Sequence, residues 1–185
     1  ISGDLPNIYL MHGDFMDEEI NELYNHPKVK AHVSLTHGEG FGRPLLEATL
    51  SEKPVMAPNW SGHVDFLKKP NAVLLGGALA DVPKGSFPDN FHVDGMKWFT
   101  VNYQEASATM KDIYKNYRKY TLPAKKLAMY NKSKFSLDEM TRQFGKILDK
   151  YVPEFAEEVK LELPKLNKVS ETKAPEIKLP KLKKV

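Results

Sequence analysis

The run Thr36-His37-Gly38-Glu39-Gly40-Phe41-Gly42-Arg43-Pro44-Leu45-Leu46-Glu47-Ala48 holds the residue types and spacing that chemistry needs. A glycine-rich turn with an acid inside it leads straight into a stretch with a second acid. Glycines let a backbone come close to a ligand, and the unpartnered N–H groups at the start of a helix favour an anion. A carboxylate beside a phosphate seat would be repelled. Glu39 and Glu47 therefore suit neutral hydroxyls nearby, where a carboxylate accepting two O–H groups is both charge-assisted and selective in geometry. Phosphate donors next to hydroxyl readers point to a nucleotide-sugar site. Glu47 stands between Leu46 and Ala48 in an otherwise apolar run, so a buried acid with a task is the expectation there.

Other chemistries fit less well. Arg43 stands where the third glycine of a dinucleotide fingerprint would fall, and no Gly-Lys-Ser/Thr follows to make a P-loop. His37, His63 and Asp65 have neither the spacing of a His pair nor a carboxylate cluster, so no metal is expected. Ser61 and His63 lack the nucleophile elbow of a hydrolase. Arg43 has two roles open to it: a bidentate grip on a diphosphate, or a place in solvent.

The elements that must position these residues alternate in type. Ile8, Tyr9, Leu10 and Met11 form a short apolar run that predicts a buried strand, and residues 12–16 a loop. Asp17 suits a helix N-cap, with Ile20, Leu23 and Tyr24 on one apolar face. Residues 31–35 predict the strand that delivers the chain to the glycine turn. Pro44 suits the first residue of a helix running to Ser51. Residues 54–57 predict a third strand, the Ser61-Gly62 turn follows, a short helix covers 63–68, and residues 72–75 make a fourth strand. The expected class is α/β: a parallel sheet with flanking helices, ligands lying beyond the carboxyl ends of the strands.

Residues 76–97, rich in Gly, Pro and Asp, predict a long irregular loop. Ala106, Met110, Ile113, Tyr114 and Tyr117 then recur at helical spacing, Pro123 starts a short helix to about Tyr130, and Ser136 with Glu139 makes a capping box for a last one. That last helix carries Met140, Phe144, Ile147, Leu148 and Tyr151 as its apolar stripe. These pieces form one expected domain over 1–152.

Residues 153–185 differ in character. Leu163-Pro164-Lys165-Leu166-Asn167-Lys168-Val169 recurs as Leu179-Pro180-Lys181-Leu182-Lys183-Lys184-Val185. The prolines oppose a long helix and the lysines leave little apolar surface for a core. A solvated, disordered tail is the first expectation, a docking segment for a protein partner the second.

The 185 residues suffice for one sizeable core, and 41% hydrophobic with 28% charged residues is ordinary for a globular protein. A formal charge of +3 gives nucleic-acid binding no support. The lack of cysteine removes disulfides and thiolate metal sites and agrees with a reducing, cytoplasmic setting. No apolar run approaches the roughly 20 residues that span a bilayer. The start lacks both a signal peptide and an initiating Met, so the chain is expected to begin inside a longer protein.

Thr36 to Ala48, the Lys53-Pro54-Val55 strand start and the Ser61-Gly62 turn together resemble the donor-binding half of family 4 glycosyltransferases, of the GT-B architecture. A weaker likeness extends from about Asn7 to Tyr151 and includes Trp98. The resemblance implies a Rossmann-like half of a GT-B fold and retaining transfer of a sugar from a nucleotide-diphosphate sugar, with no cofactor and no metal. It implies that Glu39 approaches the donor sugar near the reacting carbon. The N–H groups of Gly40, Phe41 and Gly42 would bind sugar hydroxyls or phosphate, and Glu47 the ribose hydroxyls. Phe15 and Met16 fall where the family's base-binding loop lies, although core packing is the first expectation for either. Arg43 departs from the family pattern, which often has an aliphatic residue there. The family's basic pair that grips the diphosphate lies upstream of the strand matching residues 8–11, so the chain is expected to be the donor-binding portion, with the acceptor held mainly by another domain. Two alternatives stand beside this: a non-catalytic interaction module with a partner-binding tail, and a GT-B-like epimerase or phosphorylase.

Overall fold

The computed structural model describes residues 6–153, apart from residues 69 and 92. Nearly all of the repeated Leu-Pro-Lys tail lies outside them. The elements run α1 (Asp17–Asn25), β1 (His32–Val33), α2 (Arg43–Leu50), β2 (Val55–Pro58), a 3-10 turn (Gly62–Asp65), β3 (Val73–Leu75), β4 (Gly77–Asp81), β5 (Lys97–Val101), α3 (Tyr103–Lys115), α4 (Tyr117–Lys134) and α5 (Leu137–Tyr151). A second short 3-10 turn (Asp89–Phe91) lies between β4 and β5.

The fold is mixed α/β, with a parallel sheet in the order β1-β2-β3. His32 lies opposite Val55, and Met56 opposite Val73. All four residues of β2 are buried, and alternation along the strand divides them between two faces. Val55 and Ala57 join Leu45, Ala48, Phe66, Leu67 and Leu127 on one side. Met56 joins Leu75, Phe99, Val101, Ala106 and Ile113 on the other. This two-sided burial accounts for the continuous apolar character of the strand.

Several expectations are corrected. The run Ile8 to Met11 forms no strand: Ile8, Tyr9 and Leu10 are 90%, 83% and 89% exposed. An apolar run becomes a strand only when a neighbour takes up its N–H and C=O groups, and no described strand pairs with it. Residues 76–97 are an irregular loop only in part: β4 and β5 form an antiparallel hairpin with Gly77 opposite Val101 and Asp81 opposite Lys97, and the irregular stretch is confined to residues 82–96 between them. Gly77 makes the pairing possible, since a Cβ there would come within 2.2 Å of the Thr100 carbonyl oxygen. Pro123 does not start a helix but lies inside α4. The proline removes one N–H from the helical ladder, while Ala124, Leu127, Ala128 and Asn131 bury along the same helix and hold it in place.

The break between α3 and α4 falls at Asn116 instead. There the Asp112 carboxylate accepts hydrogen bonds from Asn116 Nδ2 (2.6 Å), Lys119 Nζ (2.9 Å) and the Tyr120 hydroxyl. The Tyr120, Lys119 and Asn116 donors together hold its carboxyl well below the usual carboxylate range. At the other helical junction, Asp17 is the first residue of α1 rather than its cap; Met16 precedes the helix, and its N–H donates to Glu19 Oε2 at 2.9 Å. The expected cap of α5 is present, with Ser136 Oγ accepting from the Glu139 N–H at 3.3 Å.

Helix α2 is fastened to α4 by a buried polar pair. Asn131 Nδ2 donates to Thr49 Oγ1 at 2.9 Å, and Thr49 Oγ1 donates to the Leu46 carbonyl at 2.6 Å. Asn131 Oδ1 has no partner among the described residues. Thr49→Val would leave the amide donor buried and unpaired as well, so unfolding in urea should show a loss of about 1–3 kcal/mol.

Candidate functional site

Both turns that follow β1 and β2 lie at the carboxyl edge of the sheet, as strand direction requires. In the first, the Thr36 hydroxyl donates to the Gly38 carbonyl at 3.1 Å, closing a tight side-chain turn. The His37 ring lies flat on Trp98, with centroids 3.8 Å apart and planes 3° from parallel, and its Nδ1 is 2.7 Å from the Phe99 carbonyl oxygen. Trp60, in the second turn, stacks on Phe99 with centroids 5.5 Å apart. The β4–β5 hairpin thus braces both turns through consecutive aromatic residues.

Glu39 is joined to the second turn. Its N–H donates to Ser61 Oγ at 3.1 Å, and its carbonyl accepts from Ser61 Oγ at 2.6 Å and from the Gly62 N–H at 3.0 Å. The N–H groups of Gly40, Phe41 and Gly42 enter no hydrogen bond among the described residues. Gly42, with φ 84°, takes the left-handed conformation and caps α2, its carbonyl accepting from Leu45 and Leu46. Pro44 is the second helical residue rather than the expected first, still within the first turn, where its missing N–H costs nothing. The Phe41 ring packs against Phe66 and Phe135, with centroids 5.2 and 6.3 Å away, so this residue has a packing role as well as an N–H at the turn.

Glu47 is half-buried rather than enclosed, its side chain 38% exposed, and its Oε1 is 3.0 Å from Nε of Arg43. Arg43 is 76% exposed. It lies largely in solvent, one of its two expected places, while making the i,i+4 ion pair that helix geometry offers. Such an exposed pair holds Glu47 weakly, at up to about 1 kcal/mol.

The two acids open onto different grooves. Glu47 and Arg43 line a cavity of about 300 Å³ between α1 and α2, with Asp17, Asn21 and Tyr24. Glu39 lines one of about 250 Å³ with His32, Ser34 and Gly42. Tyr24 borders both. Burial pushes its phenol above the usual value, the Glu47 carboxylate adds to this, and Arg43 opposes it. Phe15 lies elsewhere, in a groove with Met11, Glu19 and Leu23, and Met16 is exposed ahead of α1. The structure therefore does not bring Phe15 into the Arg43–Glu47 groove.

Lys53 fixes α1 as a groove wall. Its ammonium donates to the Tyr24 carbonyl at 2.5 Å and to the His26 carbonyl at 2.7 Å, neutralising the carbonyl end of the helix. Beside Gly42, His63 is fully buried, with Nε2 2.7 Å from the Pro58 carbonyl oxygen and Nδ1 unpaired among the described residues. No group of three or more His, Cys, Asp and Glu side chains able to hold a metal ion occurs among the described residues, and no helix there is long and apolar enough to cross a membrane.

Sequence reasoning missed the Ser61 contact with Glu39, the part of Tyr24 in two grooves and the brace from Trp98 and Phe99. The alternation in Lys97-Trp98-Phe99-Thr100-Val101 was the available signal for the last. Compared with models of known protein families and with curated proteins, the chain matches none.

His32 carries a pH dependence. Burial pushes its imidazole below its ordinary value of 6.5, and the Lys53 ammonium adds to the shift. The unfolded chain therefore takes up a proton before the folded one. Stability contributed by neutral His32 is present above pH 6.5 and is lost as the pH falls through the depressed folded value. Urea midpoints measured from pH 7.5 downward should fall below pH 6.5, and His32→Gln should flatten that slope.

Proposed function

We propose that this chain is the donor-binding portion of a retaining glycosyltransferase that uses a nucleotide-diphosphate sugar. One observation carries the reading: the acid-bearing turn at Glu39 opens α2 with N–H groups at Gly40 to Gly42 that no described residue engages, and Glu47 stands on the same helix beside a groove. Free N–H groups and the positive end of a helix suit the diphosphate. A half-exposed carboxylate held among the described residues only by Arg43 suits a pair of ribose hydroxyls, because the exchange gives up little.

In this reading the donor's nucleotide part lies toward Glu47 and its sugar toward Glu39, with Tyr24 between them. Departure of the diphosphate leaves positive charge on the reacting sugar carbon and negative charge on the leaving phosphate. The Glu39 carboxylate stabilises the first and the turn N–H groups the second, both without reorganisation. An acceptor would be held by a further domain of the enzyme, outside this chain. The retaining outcome rests on the family resemblance.

A second reading, an interaction module, draws on α5. Met140, Phe144, Ile147 and Leu148 form its apolar stripe, yet all are exposed, Phe144 by 60%. A role confined to that surface leaves Glu47 without a task.

Titration calorimetry with UDP, GDP and ADP separates the readings. One of the three should bind, and Glu47→Gln should weaken it about ten- to a hundredfold, the worth of a charge-assisted hydrogen bond. Absence of binding to all three, or equal binding by Glu47→Gln, would overturn the donor-site reading.

A further inference from the structure

Ser61 occupies a backbone conformation that is hard to account for by the turn alone. Its φ of 76° and ψ of −169° fall in a region populated almost only by glycine, because a Cβ crowds the backbone there. Glycine at this position would adopt the conformation without strain. Serine differs from glycine by a Cβ, which is the source of the strain, and by a hydroxyl. That hydroxyl is spent wholly on one residue: it accepts from the Glu39 N–H at 3.1 Å and donates to the Glu39 carbonyl at 2.6 Å.

We propose that Ser61 is a positioning residue for the acid-bearing turn, holding the peptide groups on both sides of the Glu39 Cα. The proposal extends the donor-site reading, on which it depends for the meaning of the turn but not for the geometry.

The surroundings agree with a splint of this kind. The Glu39 carbonyl takes a second bond from the Gly62 N–H at 3.0 Å. Gly62 approaches so closely that a Cβ there would lie 1.9 Å from the Gly40 carbonyl oxygen. The second turn is itself anchored, since the Asn59 N–H donates to the Leu75 carbonyl at 2.9 Å and Trp60 stacks on Phe99. With both backbone polar groups of Glu39 engaged by a fixed turn, the direction of its side chain is limited to its own rotamers. The Gly40 N–H is likewise aimed before any ligand arrives. Strain held at one residue to preorganise its neighbour is the pattern expected of a functional turn.

Two variants of the full chain separate positioning from general stability. Ser61→Gly removes the hydroxyl and the strain together, and Ser61→Ala removes the hydroxyl alone. By amide hydrogen exchange followed with NMR, both variants should release the Glu39 N–H at least tenfold faster and shift the Gly40 and Phe41 amide signals. Ser61→Gly should keep a urea midpoint close to the parent's, whereas Ser61→Ala should fall below it. Unchanged Glu39 exchange in Ser61→Gly would overturn the proposal, as would faster exchange that merely follows a global loss of stability. Calorimetry with UDP, GDP and ADP on the same variants tests the donor reading separately. If the parent binds none, that reading fails, while the exchange result still decides what Ser61 does.

Discussion

Everything near the two acids depends on the pairing of β2 with β1 and β3. Those parallel pairings put the turn after β1 and the turn after β2 side by side at one edge of the sheet. Burial of β2 on both faces makes the register hard to change, because a one-residue slip would exchange Val55 and Ala57 with Met56 between two different clusters. From that constraint follow the closeness of Ser61 to Glu39, the entry of Gly42 into α2 and the side of α2 that faces each groove.

Around this centre, the acid-bearing turn is held by contacts from several parts of the chain. The β4–β5 hairpin supplies Trp98 and the Phe99 carbonyl to His37, and the Phe99 ring to Trp60. Phe66 and Phe135 receive the Phe41 ring. Helix α4 ties α2 down through Asn131 and Thr49, and Lys53 keeps α1 against the start of β2. Glu39 and Glu47, in contrast, have side chains that open onto grooves. A rigid backbone with acid side chains turned outward is what preorganised recognition of a polar ligand needs.

The helical end of the chain is built differently. Helices α3 and α4 bury Ala106, Ile113, Ala124, Leu127, Ala128 and Asn131 and complete the two clusters. Helix α5 buries nothing, although its spacing is the most regular in the chain. Amphipathic pattern expresses a capacity to cover an apolar surface; it does not place that surface within the same chain.

The sequence by itself determined what depends on neighbours along the chain. Alternating strands and helices, the glycine turn running into α2, Pro44 in its first turn and Ser136 ahead of α5 were all legible, because capping, turn chemistry and periodicity act over a few residues. Only the tertiary structure decided what depends on distant partners. Ile8 to Met11 is apolar enough for a strand yet finds no neighbour to pair with among the described residues, Gly77 and Val101 meet across 23 intervening positions, and Arg43 turns to Glu47. Above all, Ser61 and Glu39 lie 22 residues apart in sequence, and their contact exists because two parallel strands lie side by side. No local pattern carries that information, since a hydrogen bond between two turns is fixed by strand register and not by the residues on either side of it.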